Sequence, residues 1–300
     1  MLESYQIELR HLMYFRTVAE ELHFRKAAER LHIAQPGLSR QIKQLEASLG
    51  LRLLIRDKRS VRLTEAGKYL LEEISFVQGH LEQAFQTAKF IDQGEEGEVR
   101  IGFVGSAMHQ VIPDLLKRMS QTYPSIHTRL DQLGNEEQIA DILQDKLDIG
   151  FIRSQQVPEG IARMEVLKEY FALVVPRDHH LDEASFQQIG QLQGESFILF
   201  SRDYSYDYYQ LVMSIFEDQG FSPRVVHRSV HPSTVFRLVE NGLGVAIVPN
   251  SLQYGFSLDI RFIPLDQISQ RTVLSAIWKK ENRNPVLPKF LGLLKEKGNS

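Results

Sequence analysis

Gln35, Ser39 and Lys43 stand four residues apart, with Arg40 beside them. On a helix that spacing puts all four on one face. An amide and a hydroxyl can hydrogen-bond the edges of bases, and two cations can neutralise phosphates. On the other side of the same stretch, Leu38, Ile42, Leu45 and Leu49 step by four, three and four and form one apolar stripe. Pro36 is tolerated in a first helical turn, where its missing N–H has no partner anyway. Just upstream, Phe24, Ala27, Ala28 and Leu31 recur at helical spacing, and His32-Ile33 breaks the run. A short helix, a tight corner and a second helix with a polar, basic outer face is how a helix-turn-helix enters the DNA major groove. Taken alone, a basic face is more often a solvated surface, so the neighbouring stretches decide the matter.

Those neighbours support the DNA reading. Residues 8–22 read as an amphipathic helix with Leu9, Leu12, Phe15, Val18, Ala19 and Leu22 inward. After the helix pair, Leu51, Leu53 and Ile55 alternate, then Val61 and Leu63, with residues 56–60 between them. That is a hairpin pattern. As a wing it would carry Arg56, Lys58 and Arg59 to phosphate or the minor groove. From Thr64 a long helix follows. Leu70, Ile74, Val77, Leu81, Ala84, Ala88 and Ile91 make a heptad seam, and a seam this narrow calls for a partner helix, most simply a second copy. Residues 93–97 read as a hinge.

Charge is distributed to match. The chain of 300 residues carries a net charge of -3. Residues 1–68 hold 13 Lys and Arg against 8 Asp and Glu, a net of +5, so the remainder carries -8. A basic head on an acidic body suits polyanion binding joined to a sensing or assembly domain. There is no cysteine, which excludes disulfides, thiolate metal sites and cysteine nucleophiles. The absence of an apolar run of membrane length and of a signal peptide predicts a cytoplasmic protein.

Beyond residue 97 the texture is α/β. Strand VRIGFVG, a helix at 113–123, strand IHTRLDQL, helix NEEQIADILQD and strand LDIGFI imply a parallel sheet. Strand EYFALVVP, a helical stretch near 186–192, strand SFILF, helix YDYYQLVMSIFEDQG, strand RVVHR, helix STVFRLVENG and strand GVAIVP repeat the pattern. TVLSAIWKK and PVLPKFLGLLKEK add a last strand and helix. Two α/β subdomains with a cleft between them clamp ligands at the carboxyl ends of strands. Ser106, Asn135, Arg153, Ser201, Arg202 and His231 all follow strands and are the candidate effector residues. Their hydroxyls, amide, guanidiniums and imidazole favour a small carboxylate. The dense tyrosines Tyr204, Tyr206, Tyr208 and Tyr209 sit where they could gate it. Gly102 and Gly105, or Gly242 and Gly244, do not compose a dinucleotide-binding fingerprint. His179-His180 lacks further ligands at metal spacing. No cofactor, metal site or catalytic constellation is expected.

The stretch from ELRHLMYF through QPGLSRQIKQLE to RLTEAG resembles, over about 60 contiguous residues, the DNA-binding end of the LysR-type transcriptional regulators. IGFVGSA, LDIGFI and NGLGVAIVP match the rest of that family. The resemblance implies a winged helix-turn-helix at 1–65 and a coiled-coil linker helix at 66–93. It also implies a two-part α/β effector domain like a periplasmic binding protein, with subdomain I at 94–168 plus 268–300 and subdomain II at 169–267. Its implied partners are promoter DNA, a small effector, further copies of the chain as a dimer of dimers, and RNA polymerase. A pure solute-binding protein is the alternative that the basic head disfavours. Two residues depart from the family. Ala34 replaces a capping Ser or Thr, which forfeits about 1 kcal/mol, and Gly37 weakens the recognition helix by up to about 1 kcal/mol.

Overall fold

A computed structural model describes residues 7–56, 60–92 and 97–297. The chain divides into two compact units, Met1–Phe85 and Gln86–Ser300.

In the first unit, helices α1 (Leu9–Glu21), α2 (Phe24–Arg30) and α3 (Gln35–Leu49) precede strands β1 (Leu54–Arg56) and β2 (Val61–Leu63) and the long helix α4 (Glu65–Asp92). Phe15, Val18, Ala28, Leu38, Ile42, Leu45, Leu53, Leu54 and Ile74 form the core. Leu9 and Leu22, expected inside, are exposed. β1 and β2 pair antiparallel with Leu54 opposite Leu63. The expected alternation fails in β1: Leu53 and Leu54 are both buried and Ile55 is exposed. The reason is Glu46 on α3. Its carboxylate accepts the Leu53 and Leu54 N–H groups at 2.9 and 3.1 Å and the Arg56 guanidinium at 2.8 Å. The chain entering the wing is thus tied to the helix before it can adopt regular strand alternation. The Thr64 hydroxyl accepts the Gly67 N–H at 2.9 Å and starts α4. A Cβ on Gly67 would stand 2.1 Å from the Leu53 carbonyl oxygen, so only glycine lets α4 pass the wing here.

The sheets of the second unit fall into two groups, termed subdomains I and II. In chain order it runs β3 (Gly97–Phe103), α5 (Val111–Thr122), β4 (Ile126–Gln132), α6 (Asn135–Leu143), β5 (Ile149–Ile152), β6 (Ile161–Glu169) and β7 (Phe171–Pro176). There follow β8 (Ser196–Phe200), α7 (Tyr206–Glu217), β9 (Arg224–Ser229), α8 (Pro232–Glu240), β10 (Ala246–Pro249), β11 (Ile260–Leu265), β12 (Thr272–Lys279) and α9 (Leu287–Lys297). Subdomain I is a five-stranded sheet ordered β4-β3-β5-β12-β6. Its first three strands are parallel, as expected; β12 returns antiparallel between β5 and β6. Subdomain II holds the antiparallel sheet β10-β7-β11 and the parallel pair β8-β9, joined by a bridge from Phe197 to Val245. Strands β6 and β11 were not foreseen. The helical stretch near 186–192 shrinks to a 3-10 turn, Ile189–Leu192. Two crossings connect the subdomains, between β6 and β7 and between β11 and β12.

Two outcomes test the head. Glu46→Ala strands the Leu53 and Leu54 N–H groups and is expected to destabilise the unit by about 1–3 kcal/mol, read by urea unfolding; an unchanged midpoint would refute the tie. A Cβ on Gly37 would meet nothing within 4 Å. Gly37→Ala is therefore expected to add up to about 1 kcal/mol and to slow amide exchange in α3. Faster exchange would contradict this.

Candidate DNA interface and effector cavity

The α3 surface carries the expected side chains outward. Gln35, Pro36, Arg40 and Lys43 are exposed and Ser39 is half-buried. Ala34 precedes the helix without a side-chain cap, and Pro36 lies in the first turn. Six of the basic residues described in this unit are tied to acids: Arg10 to Glu8, Arg16 to Glu20, Arg25 to Glu29, Arg30 to Glu20 and Glu21, Arg56 to Glu46, and Lys68 to Glu65. Arg40 and Lys43 make no ion pair or side-chain hydrogen bond among the described residues, and neither do Arg52 and Arg62 on the wing. Sequence reasoning passed over Arg52 and Arg62 because they lie outside the basic turn.

Arg56 corrects the expectation of a wing-tip phosphate contact. It is partly buried, bonded to Glu46 and stacked 4.8 Å over the Phe24 ring. It braces the wing against α2 and α3. Lys58 and Arg59 lie outside the described residues, as does most of the expected hinge at 93–97.

The seam of α4 divides. Leu70 and Ile74 pack into the core of their own unit, Ile74 at 3% exposure, which withdraws Ile74 from any partner helix. Leu81 is half-buried, and Val77, Ala84, Ala88 and Ile91 are exposed. Tyr69 and Phe85, not on the expected seam, are exposed at 65% and 64%.

In the second unit, Arg153 leaves β5 at the level of both crossings. Thr272 and Glu169 are register partners across β12 and β6, and Arg153 reaches both: Nη1 donates to the Thr272 hydroxyl at 2.9 Å and Nη2 to Glu169 Oε1 at 2.6 Å. Its Nε donates to the Ser106 hydroxyl at 2.8 Å, and its backbone N–H to Asn135 Oδ1 at 3.2 Å. Asn135 donates in turn to the Ser205 hydroxyl at 2.7 Å. Glu169 also accepts the Ser251 N–H at 2.5 Å and hydroxyl at 2.9 Å. All these side chains are buried. Ser106, Asn135 and Arg153 therefore meet in one buried network. Glu169, Ser205, Ser251 and Thr272 were missed: each lies far along the chain in a stretch that reads as ordinary strand end or turn.

Above this network is a cavity of about 40 Å3 lined by Val104, Ser106, Arg153, Phe200, Tyr208 and Pro232 among others; one water needs roughly 10–15 Å3. The Tyr208 hydroxyl is buried without a hydrogen-bond partner among the described residues. Burial pushes the phenol well above its usual range, with Arg153 opposing and Glu169 reinforcing the shift. Tyr204 is raised likewise by burial; its hydroxyl lies near the Gly105 backbone and Gln132 without a well-formed bond. Arg153 and Tyr208 also face a larger polar groove of about 330 Å3 that includes Gln155, Asp207 and Gln210.

Of the six candidates only Ser106 and Arg153 line the cavity; Asn135 stays in the network behind it, and Ser201, Arg202 and His231 lie elsewhere. The Ser201 N–H extends the β8–β9 pairing to the Ser229 carbonyl at 3.0 Å. Arg202 is exposed and stacked 4.8 Å over Tyr206. His231 is exposed, its Nδ1 3.3 Å from Gln132 Nε2. Local register explains this: residues just past a strand follow the turn outward unless a buried partner draws them in.

Comparison with known proteins agrees with this layout. Residues 9–68 match the family model for bacterial regulatory helix-turn-helix proteins of the lysR family, and residues 92–299 match the LysR substrate binding domain. The chain is 34% identical over 277 residues to the uncharacterized HTH-type transcriptional regulator YnfL of Escherichia coli, covering 92% of this chain and 93% of that one. It is 33% identical to the regulator AlsR of Bacillus subtilis, covering 95% and 94%. The crystal structure of full-length CbnR complexed with its target DNA superposes with a TM-score of 0.75 at 26% identity, over 97% of this chain and 100% of that one. The chain belongs to the LysR family: it is a DNA-binding transcriptional regulator whose C-terminal unit responds to a small-molecule effector, and not an enzyme.

Proposed function

We propose that α3 reads promoter DNA through Gln35, Ser39 and Arg40 while Lys43 grips phosphate. The observation that carries this is the sorting of charge in the head: six of its described arginines and lysines are paired with acids, whereas Arg40 and Lys43 stand exposed on one helix face. Gln35 suits adenine and Arg40 guanine. Pro36 sets the entry of the helix. Arg52 and Arg62, with Lys58 and Arg59 on the turn between β1 and β2, add a sequence-independent grip. The exposed stretch of α4 supports self-association, with Val77, Leu81, Ala84, Ala88 and Ile91 facing a second copy and two such dimers spanning one operator. We assign contact with RNA polymerase and action in the bacterial cytoplasm on the same family ground; no helix among the described residues is long and apolar enough to cross a membrane.

For the effector we propose a small carboxylate, received differently from the sequence expectation. Every nitrogen of the Arg153 guanidinium already has a partner, and Glu169 offsets its charge. The anion is instead met by the first turns of α7 and α8, whose Ser205 and Pro232 line the cavity, since helix N-termini favour negative charge. The Ser106 and unpartnered Tyr208 hydroxyls complete the reception, and Phe200, Val104 and Val230 enclose an apolar body.

Arg40→Ala is expected to cost about 1–3 kcal/mol on the cognate site and to relax its sequence preference, whereas Lys43→Ala weakens all DNA alike and lowers the salt slope by about 1. Equal losses on specific and random duplexes for both variants would move Arg40 to the backbone. For the effector, thermal melts with matched acids and amides discriminate. At a hundred times its dissociation constant the right acid adds about 2.7 kcal/mol, a shift of about 5–10 °C for a unit of this size, and its amide adds none. A shift with the amide alone would overturn the carboxylate.

A further inference from the structure

The turn after β7 carries two adjacent histidines, His179 and His180, whose rings lie 4.4 Å apart. The sequence shows no third ligand near them. The fold supplies one: Glu195, at the entry to β8, places Oε1 3.4 Å from His179 Nε2. One ligand atom from each of the three residues falls within 4.8 Å of the others. We propose that His179, His180 and Glu195 form a site for a divalent d-block cation, with zinc the best match.

Two donors bound to zinc at about 2.0–2.1 Å in a tetrahedron stand about 3.3 Å apart. His179 and Glu195 already hold that spacing. His180 is exposed and makes no hydrogen bond among the described residues, so a rotamer change brings its ring nitrogen to the third vertex. Water takes the fourth. Two imidazoles and one carboxylate select zinc, nickel or copper over magnesium and calcium, which favour all-oxygen shells.

The surroundings act in both directions. Arg261 donates to the carbonyls of Arg177 and Leu181 at 2.7 and 2.9 Å and fixes the turn from behind. Its charge opposes a cation. Burial, above all, lowers the proton affinity of His179 against the pull of Glu195, with His180 and Arg261 adding smaller shares. A neutral imidazole is what a metal requires. The Leu181 N–H donates to His179 Nδ1 at 3.2 Å, so the ring proton sits on Nε2. Metal entry moves that proton to Nδ1 and releases the long Leu181 bond. Asp182 does not compete, because its carboxylate already accepts the Ala184 and Ser185 N–H groups and the Ser185 hydroxyl. None of the three ligands lines the effector cavity or belongs to the head, so the site is independent of both.

The test is calorimetric titration of the tag-free, chelator-stripped full chain with zinc chloride. One equivalent is expected to bind, to be lost in His180→Ala, and to weaken at least about tenfold in Glu195→Gln. Magnesium should give no heat. Cobalt should give the visible absorption of a four-coordinate ion in the wild type alone. His180 is exposed and Glu195 partly buried, and unchanged circular dichroism shows that the fold survives both substitutions. No zinc binding, or zinc binding identical in all three proteins and so held by other histidines, overturns the site.

Discussion

Arg153 is the side chain on which the effector unit depends. A guanidinium withdrawn from water costs several kcal/mol unless its hydrogen bonds are restored. Here each nitrogen finds a partner from a different part of the chain: Ser106 beyond β3, Thr272 opening β12 and Glu169 closing β6. The requirement to satisfy one buried cation thereby fixes where the returning strand enters the sheet and where the chain leaves for subdomain II. Glu169 passes the constraint on by accepting two bonds from Ser251. The pair is better understood as a specifier of geometry than as a source of stability, since buried ion pairs often do little more than break even.

The head solves an analogous problem with an acid. Glu46 holds two backbone N–H groups and Arg56, and so converts a short hairpin, too small to be stable alone, into an extension of α3. The same device decides which cations remain for DNA. An arginine consumed in bracing the wing cannot neutralise a phosphate, and the remaining exposed cations on α3 gain significance from the pairing of their neighbours.

Much of this architecture was legible in the sequence. The three helices of the head and the long α4 announce themselves by periodicity, because each has one face inside and one outside, whereas β3 and β5 announce themselves as apolar runs, because they are buried on both faces. β6 and β11 did not. β6 alternates on a sheet edge under a run of charged residues, IARMEVLKE, and β11 is interrupted by Pro264. Within the site, Ser106, Asn135 and Arg153 were legible as strand-end residues, but the same rule selected Ser201, Arg202 and His231. Strand ends place a residue near a cleft; they do not say which way its side chain turns. That depends on long-range partners such as Glu169 and Ser251, whose separation in sequence carries no local signal. Arg56 failed for the same reason, since Glu46 is ten residues away on another element.

The bonds that cross between the two subdomains bear on how an effector can act. Asn135 of subdomain I donates its side-chain amide to the Ser205 hydroxyl at 2.7 Å and its backbone N–H to the Tyr204 carbonyl at 3.3 Å, both just ahead of α7. Glu169 holds Ser251 on the other side of the crossings. Rotation of one subdomain against the other must strain or break these bonds, so the arrangement is stepped rather than freely variable. A ligand shifts such an equilibrium only by the difference in its affinity for the two arrangements. A molecule that touches Ser106 from one subdomain and Ser205, Tyr208 and Pro232 from the other gains all its contacts only while the network is closed. On the proposed reading, the cavity's position against the network, more than its volume, is what suits it to transmit binding.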